Sequence, residues 1–348
     1  MQRGEIMAMN ISTKIIRSQL IGLVFLAVIL GLIPPVLGFN LYYVLLAAIS
    51  LSVTTMVAAW NIIGGYGGQL DLAAPVYFVV GSFVTTHLLV FYHVIPWVGI
   101  AAGALVAVAL AVILGYPTFR FGIKEVWYAL LTAALVVIMQ RIAWFIMMFY
   151  YYPTLGSNEV YISQYIPKDA NPWLYLYFPM NYTTYYYIFL ALLLFTVWLN
   201  LKIKRSKLGY YLAAIREDEL AAEALGIDVR RYKLYALMIY AAILGVAGGF
   251  HIMMIGILAY KNFDPWLGTV VAVMGIVGGL GSIEGAVMSG LMLRTIEEWL
   301  RSSFGAIIPG IHYLIYGVII IIVAILKPEG LAAVINYVKK KLGLIRYG

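Results

Sequence analysis

The chain has 348 residues, 64% of them hydrophobic and only 11% charged, with a net charge of +8 and a mean hydropathy of +0.95. Soluble domains carry about a quarter charged residues, so this composition excludes an ordinary soluble domain and points to a polytopic membrane protein. With no cysteine, disulfides, thiolate metal sites and cysteine nucleophiles are excluded too.

Lys14 and Arg17 precede an apolar run that starts at Leu20. No small-residue cleavage site follows, so the run reads as an uncleaved first span. A bilayer core needs about 20 mostly apolar residues per helix. Such runs fall at 20–38, 41–60, 72–92, 96–115, 126–149, 184–201, 234–259, 266–278 with its continuation 283–301, and 310–326. After the second run comes Gly64-Gly65-Tyr66-Gly67-Gly68. Between the fifth and sixth lies a long Tyr-, Pro- and Asn-rich connection, 150–183, readable as an interfacial aromatic belt or as a docking surface. Asn181-Tyr182-Thr183 within it is a weak glycosylation triplet.

The next stretch, 202–233, is the one long polar, helix-forming insert in the chain. Ala213 to Leu225 reads as a single helix of good formers, stopped by Gly226 in the C′ position. Ile215, Leu220 and Ala224 fall near one face, and Arg216, Glu217, Asp218, Glu219 and Glu223 cover the rest. Residues 266–301 are long enough for one tilted span or two short ones, with the breaker Gly278-Gly279-Leu280-Gly281-Ser282 in the middle. This run repeats the earlier pattern Gly-Gly-apolar-Gly-small. A glycine-interrupted pair in two halves reads either as a transport pathway or as a means of close helix packing.

Charge asymmetry decides the topology. Ten spans with both termini inside place Arg3, Lys14, Arg17, Arg120, Lys124, eight basic residues of 202–233 and the five from Lys327 to Arg346 on the inner side. Only Lys168 and Lys261 then fall in outer loops. Nine spans would strand Lys339-Lys340-Lys341 outside. The expected architecture is therefore an all-α polytopic membrane protein of about ten transmembrane segments, both termini cytosolic, forming one domain over 1–348. Spans one to six occupy 20–201, the cytosolic insert 202–233, spans seven to ten 234–326, and a basic tail 327–348. Basic residues that border spans indicate anionic lipid rather than nucleic acid.

Catalytic signals are missing. His87, His93, His251 and His312 are scattered without metal-ligand spacing and read as polar groups satisfied inside the bundle. Arg141 lies within a span, and is a functional candidate or a structurally paired charge. Arg294, Glu297, Glu298 and Arg301 can compensate one another at i+3 and i+4. A membrane-embedded enzyme lacks a catalytic cluster, and an ion-coupled secondary transporter lacks a chain of unpaired carboxylates.

At the insert the chain resembles a known family. Leu208-Gly209-Tyr210 together with Arg216-Glu217-Asp218-Glu219-Leu220-Ala221-Ala222-Glu223-Ala224-Leu225-Gly226-Ile227 resembles the cytosolic segment of branched-chain amino acid ABC transporter permeases of the LivM type. Gly67-Gly68-Gln69-Leu70, Gly278-Gly279-Leu280-Gly281-Ser282 with Gly285, and Lys327-Pro328-Glu329-Gly330-Leu331 resemble three further family stretches, in the family's order. The resemblance implies that the insert holds a coupling helix, with Arg216, Glu217, Asp218, Glu219, Ala222, Glu223 and Gly226 facing a cytosolic ATP-binding subunit. It also implies a second permease subunit, an extracytoplasmic binding protein, and no cofactor on this chain, ATP being bound by partners. The candidate translocation path comprises Gly64, Gly65, Gly67, Gln69, Asp71, Gly278, Gly279, Gly281 and Ser282. Asp71-Leu72-Ala73-Ala74 departs from the family's Ser-x-Gly-His or Gln. Asp71 reads as an N-cap for the third span or as a partner for a ligand's ammonium. Urea or short amides stand as the alternative cargo to amino acids.

Overall fold

The computed structural model describes residues 22–123, 125–304, 310–326 and 330–333. Within them the chain is almost entirely helical. Helix α1 is Gly22–Val36. Helix α2, Leu41–Trp60, runs on as a π-helical turn, Asn61–Tyr66. Next come α3 (Ala74–Tyr92), α4 (Pro96–Arg120) and α5 (Glu125–Ile146), the last continuing through a π-turn, Met147–Tyr151, into Tyr152–Leu155. Helix α6 is Tyr182–Lys204, and the polar insert forms α7 (Lys207–Glu217) and α8 (Glu219–Ala224). The last four are α9 (Val229–Ile255), α10 (Pro265–Gly278), α11 (Ile283–Phe304) and α12 (Ile311–Leu326).

Six of these are long and apolar enough to cross a bilayer: α2 with its π-turn, α3, α4, α5 with its extension, α6 and α9. The chain is thus a polytopic all-α membrane protein. Ten crossings require α1, α10, α11 and α12 to cross as well. Of these, α10 has only 14 residues, and α11 carries Glu284, Arg294, Glu297, Glu298 and Arg301. Segment 266–301 is two helices, broken where the glycine cluster stands.

Helices α3, α4 and α9 pack backbone to backbone. A Cβ placed on Gly245 of α9 would lie 2.8 Å from Ala104 Cα of α4. With hydrocarbon on both sides of the comparison, such close van der Waals approach is what holds membrane helices together. Ser82 of α3 adds a bond from its hydroxyl to the Gly248 carbonyl of α9, at 2.8 Å.

The 150–183 connection is more ordered than its composition announces. Strand β1 (Val160–Tyr161) pairs antiparallel with β2 (Ile257–Leu258), just beyond α9. Tyr151 and Leu176 are buried, and the Tyr185 hydroxyl donates to the Leu176 and Met253 carbonyls. Trp173, Leu174 and Met180 stay exposed.

The charged run on α11 compensates itself as its spacing indicates. Arg294 pairs with Glu297 at 2.7 Å and with Glu298, which also takes Arg301. Trp266 of α10 donates its indole N–H to Glu297 at 3.0 Å. Two histidines have the expected internal partners: Nδ1 of His251 lies 3.3 Å from the Ser52 hydroxyl, and Nδ1 of His87 lies 3.0 Å from that of Tyr151. His93 departs from the expectation. It ends α3 in a left-handed conformation and is exposed, while the His312 side chain lies outside what is described. Arg141 sits on the exposed face of α5. The closing Lys327-Pro328-Glu329 also lies outside the described residues.

Candidate functional site

The two glycine clusters, more than two hundred residues apart in sequence, meet in space. Asn61 opens the π-turn after α2. Its side-chain N–H donates to Oδ1 of Asn200 on α6 at 3.1 Å, and its Oδ1 accepts the backbone N–H of Gly281 at 3.2 Å. Gly65 lies directly under this bond: a Cβ there would stand 2.9 Å from the Gly281 nitrogen. A π-turn is a rare local geometry that recurs at functional sites, and here it widens the helix where the second cluster abuts it.

The second cluster ends α10 at Gly278 and reverses the chain. Gly279 and Gly281 hold φ of +102° and +77°, a region L-residues avoid. Ser282 then caps α11 by accepting the Gly285 N–H at 3.2 Å. Gly278 and Gly285 touch backbone to backbone, closing a tight helical hairpin. Of the glycine path candidates, Gly64, Gly65, Gly67, Gly278 and Gly279 are buried, and the structure brings all of them to one end of the bundle in close packing.

The remaining two path candidates are buried polar side chains. Gln69 is 3% exposed, and its Oε1 has no hydrogen-bond partner among the described residues. Asp71 is fully buried. Its Oδ1 accepts the Ala73 N–H at 2.9 Å, closing an Asx-type turn ahead of α3, but the N-cap position is Ala73 and carries no side-chain cap, so Asp71 does not cap the helix as expected. Two hydroxyls complete the shell: Tyr128 of α5 donates to Oδ2 at 2.9 Å and Tyr240 of α9 to Oδ1 at 3.5 Å. The Asp71 carbonyl accepts the Trp60 indole N–H at 2.8 Å. Among the described residues no Lys, Arg or His bonds to it, so neutral donors alone offset the cost of burying this group.

The polar insert corrects two expectations. Ala213 to Leu225 is not one helix. The chain breaks at Asp218, whose extended backbone (φ −158°, ψ 113°) ends α7. Its carboxylate caps α8 by accepting the Leu220 and Ala221 N–H groups. An Asp in N-cap conformation satisfies donors that a continuous helix would not leave open, and this bias outweighs the helix propensity of its neighbours. The apolar face is also split. Ile215 and Ala222 are buried with Val229, whereas Leu220 and Leu225 are 71% and 82% exposed.

The stop at Gly226 is as expected. At φ +85° it donates its N–H to Glu223, and Ile227 donates to Ala222, the paired bonds of a Schellman ending. Glu217 and Glu223 face outward. Glu219 does not project freely: it forms an ion pair with Lys233 of α9, whose side chain is 3% exposed. Arg216 turns inward, donating from Nη1 to the Gly65 carbonyl at 2.8 Å. The sequence reading passed over Asn61, Asn200, Tyr128 and Tyr240, and it placed Lys233 with the basic residues that hold the insert's flanks at lipid headgroups, whereas its buried side chain pairs with Glu219. Asn61 and Asn200 had a signal to give, since an amide within an apolar run needs a partner in the bundle.

Comparison with known proteins fixes the family. Residues 42–324 match the family described as "Branched-chain amino acid transport system / permease component". The chain is 24% identical to the high-affinity branched-chain amino acid transport system permease LivM of Escherichia coli K12, over 78% of this chain and 65% of that protein. It is 25% identical to the permease BraD of Pseudomonas aeruginosa over 78% of this chain and 88% of BraD. It is also 29% identical to the probable permease LivH of Methanocaldococcus jannaschii, over 41% and 46% of the two chains. The chain thus spans about two thirds of the length of LivM. No solved structure matches it. A match over most of its length, to membrane permeases and on a polytopic helical fold, means that the chain belongs to the permease family of branched-chain amino acid transport systems.

Proposed function

We infer that this chain is the membrane-spanning permease subunit of an ATP-binding cassette importer for branched-chain or related amino acids. In this reading it crosses the cytoplasmic membrane ten times, keeps both termini in the cytosol and pairs with a second permease. A binding protein delivers ligand to the outer side at 150–183, and ATP hydrolysis on separate cytosolic subunits drives transport. The glycine turns, which share one end of the bundle with the insert, form the closed inner end of the translocation path.

The observation that supports this best is the shape of α7–α8. Exposed Leu220 and Leu225 project from a short capped helix flanked by Glu217 and Glu223. Isolated apolar side chains held out on a rigid, charged rim fit a cleft on a soluble partner. Glu219 contributes by fixing α8 on α9 through Lys233.

The test is Leu220→Asp with Leu225→Asp in the assembled transporter. The expected result is loss of the co-purified ATP-binding subunit and of ATP-driven uptake, while the permease itself keeps its melting temperature. Normal uptake by this double variant would remove the docking role. Competition of labelled leucine uptake by urea or acetamide separates an amino-acid importer from a short-amide one.

A further inference from the structure

We propose that Arg216 is the joint through which movement of α7–α8 reaches both glycine turns, a positioning residue inside the permease rather than a contact with the ATP-binding subunit. The proposal rests on the importer reading above.

Arg216 occupies the last turn of α7, two residues before the chain breaks at Asp218. Its guanidinium reaches the mouth of the seam between the two turns, with 31% of the side chain still exposed. Nη1 donates to the Gly65 carbonyl at 2.8 Å, toward the end of the π-turn, where unpaired carbonyls concentrate negative charge and favour a cation. Nη2 pairs with the exposed carboxylate of Glu217 at 3.1 Å. The other wall of the seam is Gly281: a Cβ there would stand 3.1 Å from Nη1. On the near side, a Cβ on Gly68 would lie 2.7 Å from Arg216 Cγ. Both glycines already sit at positive φ, +68° and +77°.

The guanidinium therefore touches both turns at the point where Asn61 ties them together through the Gly281 N–H. Beside it, the insert does not lie flush on the first turn. A recess lined by Gly67, Gln69, Glu217 and Leu220 separates them, and Arg216 lies along it. Displacement of α7 thus acts on the turns through a charge-assisted bond, beside the packing of buried Leu212 next to Gly67. A lysine would fill the same volume of stem but could not hold Gly65 and Glu217 with one rigid fork.

The experiment uses the full transporter in proteoliposomes with its binding protein, comparing wild type with Arg216→Met and Arg216→Lys. Methionine keeps an unbranched stem against Gly68 and removes the fork. Three quantities are read: co-purified ATP-binding subunit, ATP hydrolysis, and uptake per ATP hydrolysed. For Arg216→Met we expect wild-type co-purification, continuing hydrolysis, and uptake per ATP lower by about tenfold. Arg216→Lys should fall between the two. Wild-type uptake per ATP in the methionine variant would overturn the joint, as would loss of co-purification with an unchanged melting temperature, which would make Arg216 a partner contact. If the methionine variant fails to fold, the lysine variant decides: full uptake per ATP overturns the proposal and a partial loss supports it. A wild type that captures no ATP-binding subunit would instead overturn the importer reading, an outcome seen without any variant.

Discussion

Gly64–Gly68 and Gly278–Ser282 carry the same pattern of residues and do different things with it. In the first, the helix does not stop: Gly64 and Gly65 lie inside a π-turn, and the missing side chains make room for Asn61 and for the opposite turn. In the second, the helix ends at once, and Gly279 and Gly281 are needed for their left-handed dihedrals. At Gly64 and Gly65 the absence of a side chain serves as space, and at Gly279 and Gly281 it serves as backbone freedom, while Gly68 and Gly278 carry the converse role in each cluster. The residues that follow differ accordingly. Asp71 is buried and holds three elements together, whereas Ser282 makes a local cap.

If this contrast is right, substitutions at matched positions should fail for different reasons. The largest effect is expected for Gly65→Ala, whose methyl would collide with the Asn61 side chain and approach the Gly281 nitrogen to 2.9 Å. Forcing that seam apart should cost about 3 kcal/mol, read as a large drop in melting temperature in detergent. A melting point within a degree of wild type would show that the seam is loose.

Asp71→Ala comes next. It leaves the Tyr128 and Tyr240 hydroxyls without their acceptor in a buried site, at about 2 kcal/mol. Adding Tyr128→Phe should recover part of the loss, and full additivity of the two changes would argue against a shared network. Gly281→Ala should cost about 1–2 kcal/mol from its dihedral; a loss matching that of Gly65→Ala would erase the distinction between the turns. Ser282→Ala is the smallest, about 1 kcal/mol for a lost N-cap. Hydrogen exchange should then quicken in the first turn of α11 and nowhere else.

The extent to which the molecule is legible in its sequence follows the range of the interactions. The long apolar helices stand where unbroken hydrophobic runs stand, because hydropathy is a local property. The glycine stop at 226 and the break within 266–301 are equally local. Asp218 was legible too: an N-capping residue set inside a run of helix formers marks a restart, and the run's propensity hid it. The partners of Asp71, by contrast, lie 57 and 169 residues away, and Arg216 finds Gly65 across 151. Nothing local distinguishes Arg216 from Glu217 beside it, so its inward turn emerges only once the insert is docked. The order of 150–183 was hidden likewise, since its anchor, β2, follows α9.

Helix α9 has a consequence of its own. It runs 27 residues without a proline, a rod about 40 Å long. At one end Lys233 grips the short helix α8. At the other, Gly256 accepts the Ile162 N–H and Ile257–Leu258 pairs with Val160–Tyr161. A stiff lever fastened at both tips cannot tilt at one without swinging the other. The two rims of the bundle are therefore tied to one continuous helix, along which a displacement at either tip would be carried to the other.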